Sequence, residues 1–168
     1  MNPKEIAARI DAAGTAIEAE LGSMSEELAA WHPAVGEWCV KDVLGHIIHT
    51  ERIGFAGRIG EVLGADEPSL RASGDAASSC DRDLAEMLAE FREQRTRSVD
   101  RVAGLQPADL ARAGIHERVG RLTVNDIIHE WVHHDRTHLK QILANVQAYV
   151  WPDMGGAQRF ANLTRPPS

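Results

Sequence analysis

The sequence predicts an all-α chain folded as a four-helix bundle. Four segments repeat apolar residues at three- and four-residue steps, no segment sustains period-two alternation, and Gly- or Pro-containing breaks separate the four. The first segment, 4–30, carries Ile6, Ile10, Ala13, Ile17, Leu21, Met24 and Leu28 at the helical period. Trp31-His32-Pro33-Ala34-Val35-Gly36 breaks it, and the period resumes from Val40 to about Leu63. The stretch 64–80, rich in Gly, Ser, Ala and Asp with Pro68 inside it, reads as the longest loop. Asp81 reads as the N-cap of the third helix, which carries Leu84, Met87, Leu88, Phe91, Val99 and Val102 before Gly104 and Pro107 end it. After a short irregular piece, Thr123 caps a fourth helix from Val124 to about Tyr149, stopped by Trp151-Pro152. The tail 152–168, poor in large apolar residues, reads as loosely packed. Helices of this length bury their stripes against one another, and bundles build their sites from inward side chains on facing helices.

The 168 residues form one predicted domain, 1–168, with the bundle in 1–149 and the tail in 150–168. Two cysteines, Cys39 and Cys80, give no disulfide framework, carry no catalytic signature and read as structural residues of a reduced, cytoplasmic protein. The charged start lacks the apolar run of a signal peptide, and no stretch approaches the ~18–20 apolar residues of a membrane span. A net charge of −7 and a pI near 5.6 argue against a nucleic-acid partner, which requires a basic footprint.

Val35-Gly36-Glu37-Trp38-Cys39-Val40-Lys41-Asp42-Val43-Leu44 aligns with Val119-Gly120-Arg121-Leu122-Thr123-Val124-Asn125-Asp126-Ile127-Ile128. Helices two and four thus begin alike, with an N-cap at Cys39 or Thr123 and an acid three residues on. Either the two are pseudo-symmetric, or two helix starts have converged on one capping chemistry.

Eight histidines stand against one tyrosine and three phenylalanines, and six of them cluster: His46 and His49, then His129, His133, His134 and His138. His129-Glu130-Trp131-Val132-His133 has the H-E-x-x-H form of zinc proteases. On a helical wheel, however, His129 and His133 share the polar arc of Asp126, Arg136 and Lys140, and no Glu follows Glu130 as a third ligand. Glu130-Trp131-Val132-His133 also has an E-x-x-H step, but helix two lacks the second one a di-metal bundle requires. His134 and His138, one turn apart, border the apolar arc of Val124, Ile127, Trp131 and Ile142. Such a pair reads as two metal ligands, and a third imidazole from helix two leaves a coordination position open for chemistry. Periodicity allows His46 or His49, with His46 slightly favoured by its stripe through Thr50, Ile53 and Gly57. His32, His49, His116, His129 and His133 read as surface or local structure.

Trp38-Cys39-Val40-Lys41-Asp42-Val43-Leu44-Gly45-His46-Ile47, with His134-Asp135-Arg136-Thr137-His138-Leu139-Lys140-Gln141-Ile142, resembles the DinB-like superfamily of metal-dependent enzymes. The shared pattern is a Trp eight residues before a His, then H-x-x-x-H-x-x-Q-I near the C-terminus. The resemblance covers most of 1–149 and implies His46, His134 and His138 as the metal triad, in an up-down-down-up bundle whose crossover is the 64–80 loop. Cys39 departs from it, since the family places Ser or Thr there. The resemblance also implies a divalent metal, zinc or nickel first with iron or manganese open, and a small-molecule substrate. It implies S-transfer from a low-molecular-weight thiol such as bacillithiol or mycothiol, with metal-dependent hydrolysis as the alternative, and leaves a homodimer possible. A metal-stabilised binding or stress-response bundle without catalysis is the further alternative. Glu130 and Asp135 are the candidate partners for the ligand imidazoles, with Asp42 and Glu51 behind them.

Overall fold

Asn2 opens α1 (Pro3–Leu21) with a full capping box, its side chain accepting from Glu5 N–H while the Glu5 carboxylate accepts from Asn2 N–H. The first apolar segment is not one helix to residue 30. The computed structural model, which describes residues 1–74 and 76–163, ends α1 at Leu21 and starts α2 (Glu26–Ala30) anew. The reason is Ser25, whose hydroxyl accepts from Leu28 N–H and caps a new start.

The second bundle helix is continuous in path but not in hydrogen bonding. α3 (Val40–His49) passes into a π-helical segment, Thr50–Gly57, and then α4 (Arg58–Gly64). The wider turns shift the register, so Ile53, expected on the inward stripe, is exposed while Gly54 and Phe55 are buried. π segments of this kind concentrate at functional sites.

The third bundle helix, α5 (Leu84–Ala103), is capped by Asp83 rather than Asp81. Residues 79–82 form a turn closed by Arg82 N–H to the Ser79 carbonyl, and Lys41 donates to the Cys80 and Arg82 carbonyls from below. A short α6 (Pro107–Leu110) follows, and then the fourth bundle helix, α7 (Val124–Val150), opened by a capping box between Thr123 and Asp126.

The expectation of a strand-free chain is corrected by a small sheet. β1 (Ser69–Leu70) pairs in parallel with β2 (Ala113–His116), which pairs antiparallel with β3 (Gly120–Thr123). It ties the start of the crossover to the segment before α7. Runs of two to four residues are too short for alternation to show. The two copies of the repeat share more than a cap: Gly36 and Gly120 both adopt positive φ (83° and 76°), each after an exposed valine. The described part of the tail is a 3₁₀ stretch, Trp151–Ala157, and α8 (Gln158–Leu163), with Trp151 and Phe160 exposed; the tail beyond 163 lies outside the described residues.

The result is an up-down-down-up four-helix bundle. α1 packs against α5 and α7, and α3 packs against the same two. The core divides in two along every long helix. One cluster holds Ile6, Ile10, Phe55, Ile59, Val102, Ile127 and Trp131; the other holds Ile17, Leu44, Ile47, Leu88, Phe91 and Ile142. In the sequence of each helix, a polar or small residue separates the two: Gly14, Glu51, Arg95 and Asp135. Arg95 donates to Ile10 O at 2.8 Å, to Glu51 at 3.0 Å and to both Asp135 oxygens at 2.6 and 3.2 Å. One buried guanidinium thereby joins all four bundle helices, and Gly14 leaves room for it, since a Cβ there would stand 3.1 Å from Arg95 Cγ.

Candidate metal centre

His46 stands on the second turn of α3, and His134 and His138 stand one turn apart in mid-α7. The structure brings these three together, with ligand atoms all within 4.8 Å of one another. His46 Nε2 and His134 Nε2 lie 3.1 Å apart, and the three ring centroids are 4.4 to 5.1 Å from each other. His49, the other candidate on this helix, turns away and reaches the Ser73 carbonyl at 2.9 Å.

Neighbouring side chains orient the rings. The Gln141 carbonyl oxygen sits 3.0 Å from His138 Nδ1, accepting its proton and leaving Nε2 as the lone-pair nitrogen. Thr50 Oγ1, on the π segment, lies 3.4 Å from His46 Nε2, and the Trp38 ring packs 5.0 Å from the His46 ring. Burial pushes the His134 imidazole down to about 3, with His138 and His46 adding to the effect, so it is neutral near pH 7. Three convergent imidazoles, one of them held unprotonated, form a donor set suited to a divalent ion.

The two H-E-x-x-H histidines lie elsewhere. His133 is exposed, and His129 is satisfied by the Asn125 carbonyl at 2.7 Å. Asp135, expected as a partner for a ligand imidazole, is fully buried and bonds Arg95. Glu51 does the same, and Asp42 faces the crossover, where Ser79 N–H and Ser78 Oγ–H donate to its Oδ1. Glu130 alone of the acidic candidates borders the space beside His46 and His134.

That space is a cavity of about 560 Å³ lined by His46, Thr50, Arg58, His116, Glu130 and His134, among others. A second, of about 260 Å³, also borders His46 and is lined by Trp38 and Asp42 among others. Arg58 and His116 were not legible as site residues. Arg58 Nη2 donates to Arg71 O and Ser73 Oγ and lies 3.1 Å from His116 Nε2. His116, expected as surface or local structure, is buried because β2 carries it inward over the cavity, and it accepts locally from Arg118 N–H. The missing signal is the sheet itself.

Cys39 and Cys80, expected as unpaired residues, are joined by a disulfide. Cys39 still caps α3, its sulfur accepting from Asp42 N–H.

Fold and site together define a four-helix-bundle protein with three histidines gathered from its second and fourth helices. The chain belongs to the DinB superfamily, whose sequence profile matches residues 9–142. Among solved structures it is similar to YfiT from Bacillus subtilis, described as a probable metal-dependent hydrolase with an unusual four-helix bundle topology. That similarity has a TM-score of 0.77 and 16% identity over 86% of each chain. It is also similar to TT2238, a four-helix bundle protein, with a TM-score of 0.65 and 20% identity over 85% of this chain and 99% of that one. Comparison with curated proteins gives no match. Among the described residues, no helix is long and apolar enough to cross a membrane.

Proposed function

We propose that His46, His134 and His138 hold one divalent metal ion, zinc or nickel in the first instance, and that the chain is an enzyme transferring a low-molecular-weight thiol to a small electrophile. The observation that carries this reading is the position of His46, which borders both cavities, so that two small reactants have separate approaches to one centre. When bound, the ion supplies Lewis acidity, which favours the deprotonated form of a thiol or of water at neutral pH. Gln141 fixes the His138 tautomer, and Trp38 covers the His46 ring. Glu130 is placed to accept the proton given up by the nucleophile. Arg58, held by the Arg71 carbonyl and Ser73, offers a fixed cation to negative charge on the electrophile.

Hydrolysis of a small substrate is the second reading. It is favoured by the description of YfiT and needs the same residues in the same roles, with water as the nucleophile. The two separate in one experiment. Metal-loaded protein is assayed for consumption of several thiols with a small electrophile, in parallel with an ester and amide panel. Thiol-dependent conjugation lost in Glu130→Gln supports transfer; turnover of esters or amides without thiol assigns hydrolysis instead.

A further inference from the structure

A second group of ligand-type atoms surrounds the disulfide, apart from the three-histidine centre. His32, Cys39, Asp42 and Cys80 bring one ligand atom each within 4.8 Å of the others. Cys80 Sγ lies 3.4 Å from His32 Nε2 and 3.1 Å from Asp42 Oδ2, and Cys39 Sγ lies 3.4 Å from the same Oδ2. A tetrahedral zinc ion with bonds of about 2.0–2.3 Å separates its ligand atoms by about 3.5 Å, close to all three values. The disulfide has no proton to offer either the imidazole nitrogen or the carboxylate oxygen that face it.

Three of the four prospective ligands are also oriented from behind. His32 Nδ1 lies 2.7 Å from the Glu37 carbonyl, which accepts its proton and leaves Nε2 turned to the sulfurs. Asp42 Oδ1 is occupied by Ser79 N–H at 2.8 Å and Ser78 Oγ–H at 2.9 Å, which leaves Oδ2 for the group. Cys39 caps α3, where the helix N-terminus favours negative charge on sulfur. Backing of ligands by a carbonyl or an N–H is characteristic of metal sites. His32 is exposed and borders the 260 Å³ cavity, so the group is reachable from solvent.

We propose that the reduced chain binds a second divalent ion, zinc, through Cys39, Cys80, His32 and Asp42, and that the disulfide is the oxidised, metal-free alternative of the same clasp. A dithiol reductant converts the disulfide to two thiols and is itself oxidised to a disulfide. Zinc then forms two Zn–S bonds as two protons leave to solvent. In either state the clasp fastens the end of the crossover to the start of α3, about two helical turns before His46.

The test compares zinc content of the full-length protein before and after reduction with a dithiol, under anaerobic conditions and after removal of loosely held metal. The reduced protein gains one zinc per chain over the oxidised protein. The gain persists in His134→Ala/His138→Ala and disappears in Cys80→Ser. His32→Ala, at an exposed position that does not endanger folding, weakens it at least about tenfold. Cobalt(II) at the same site gives thiolate-to-metal charge-transfer absorption. Equal metal content in the two redox states, or a cobalt spectrum without thiolate absorption, overturns the proposal. Failure of the three-histidine centre reads differently, as an oxidised protein without zinc whose reduction still adds one.

Discussion

Gln141 is the residue whose role is cleanest at the scale of single side chains. Its carbonyl oxygen fixes the His138 tautomer, so Gln141→Ala is expected to weaken metal binding about 10- to 100-fold with little change in fold. Competition with a chromophoric chelator measures this directly, and unchanged affinity removes Gln141 from the centre. His129→Ala and His133→Ala leave metal content unchanged, because one ring is spent on a backbone carbonyl and the other faces water. His134 gives a pH dependence. Its imidazole is pushed from 6.5 to about 3 in the fold, chiefly by burial, so between those values the unfolded chain binds a proton that the folded one does not. The metal-free protein therefore loses stability as pH falls from 6.5 toward 3, seen as a declining denaturation midpoint; a flat midpoint across that window contradicts the burial of a neutral ring. The His134 and His138 pair was legible from the wheel alone, since both border an apolar arc that the structure buries. His46 against His49 was not, and needed the resemblance, because the helix that carries them changes its hydrogen-bonding pattern one residue after His49.

At the scale of elements, close approach of the crossover to α3 depends on Gly45. A Cβ there would stand 2.1 Å from Ser79 Oγ and 2.9 Å from Ser79 Cβ, so Gly45→Ala must push Ser79 and its neighbours outward. A loss of about 1–3 kcal/mol in denaturant unfolding is expected. A neutral effect would show that residues 76–80 do not lie against the helix. Helix starts were readable where a side chain closes the first turn, as at Cys39 and Thr123, and misread where a nearer competitor exists, as with Asp83 for Asp81. The sheet was unreadable. Its strands are held by register and by the crossover: Ile115 N–H reaches the Pro68 carbonyl and Glu117 N–H the Leu70 carbonyl across more than forty residues of sequence, a pairing no local pattern reports. With the sheet went His116 and, through it, the wall of the larger cavity.

For the whole molecule, the two halves of the core meet at Arg95. Its guanidinium pairs with two buried carboxyl groups and closes one carbonyl of α1, so no bundle helix is independent of it. Arg95→Met removes that charge and leaves Glu51 and Asp135 buried without their guanidinium, which is expected to cost about 3–5 kcal/mol in chemical denaturation. A loss below about 1 kcal/mol would mean that water or protonation replaces the pair at no cost. Arg95 sits among Phe91, Gln94 and Ser98 on a helix otherwise read by its apolar stripe, and a charge inside that stripe is visible only once the partners on the other helices are in place. The same layer holds α7 in register beside His134, since Asp135 is its immediate neighbour. The bundle brings three imidazoles from two of its helices together, and the proposed metal ion would sit among them. Metal analysis of untagged protein tests that placement most directly. With the disulfide intact, wild type is expected to hold one divalent ion per chain, and His46→Ala, His134→Ala and His138→Ala each to lose it. Stoichiometric metal surviving in all three variants would contradict the account.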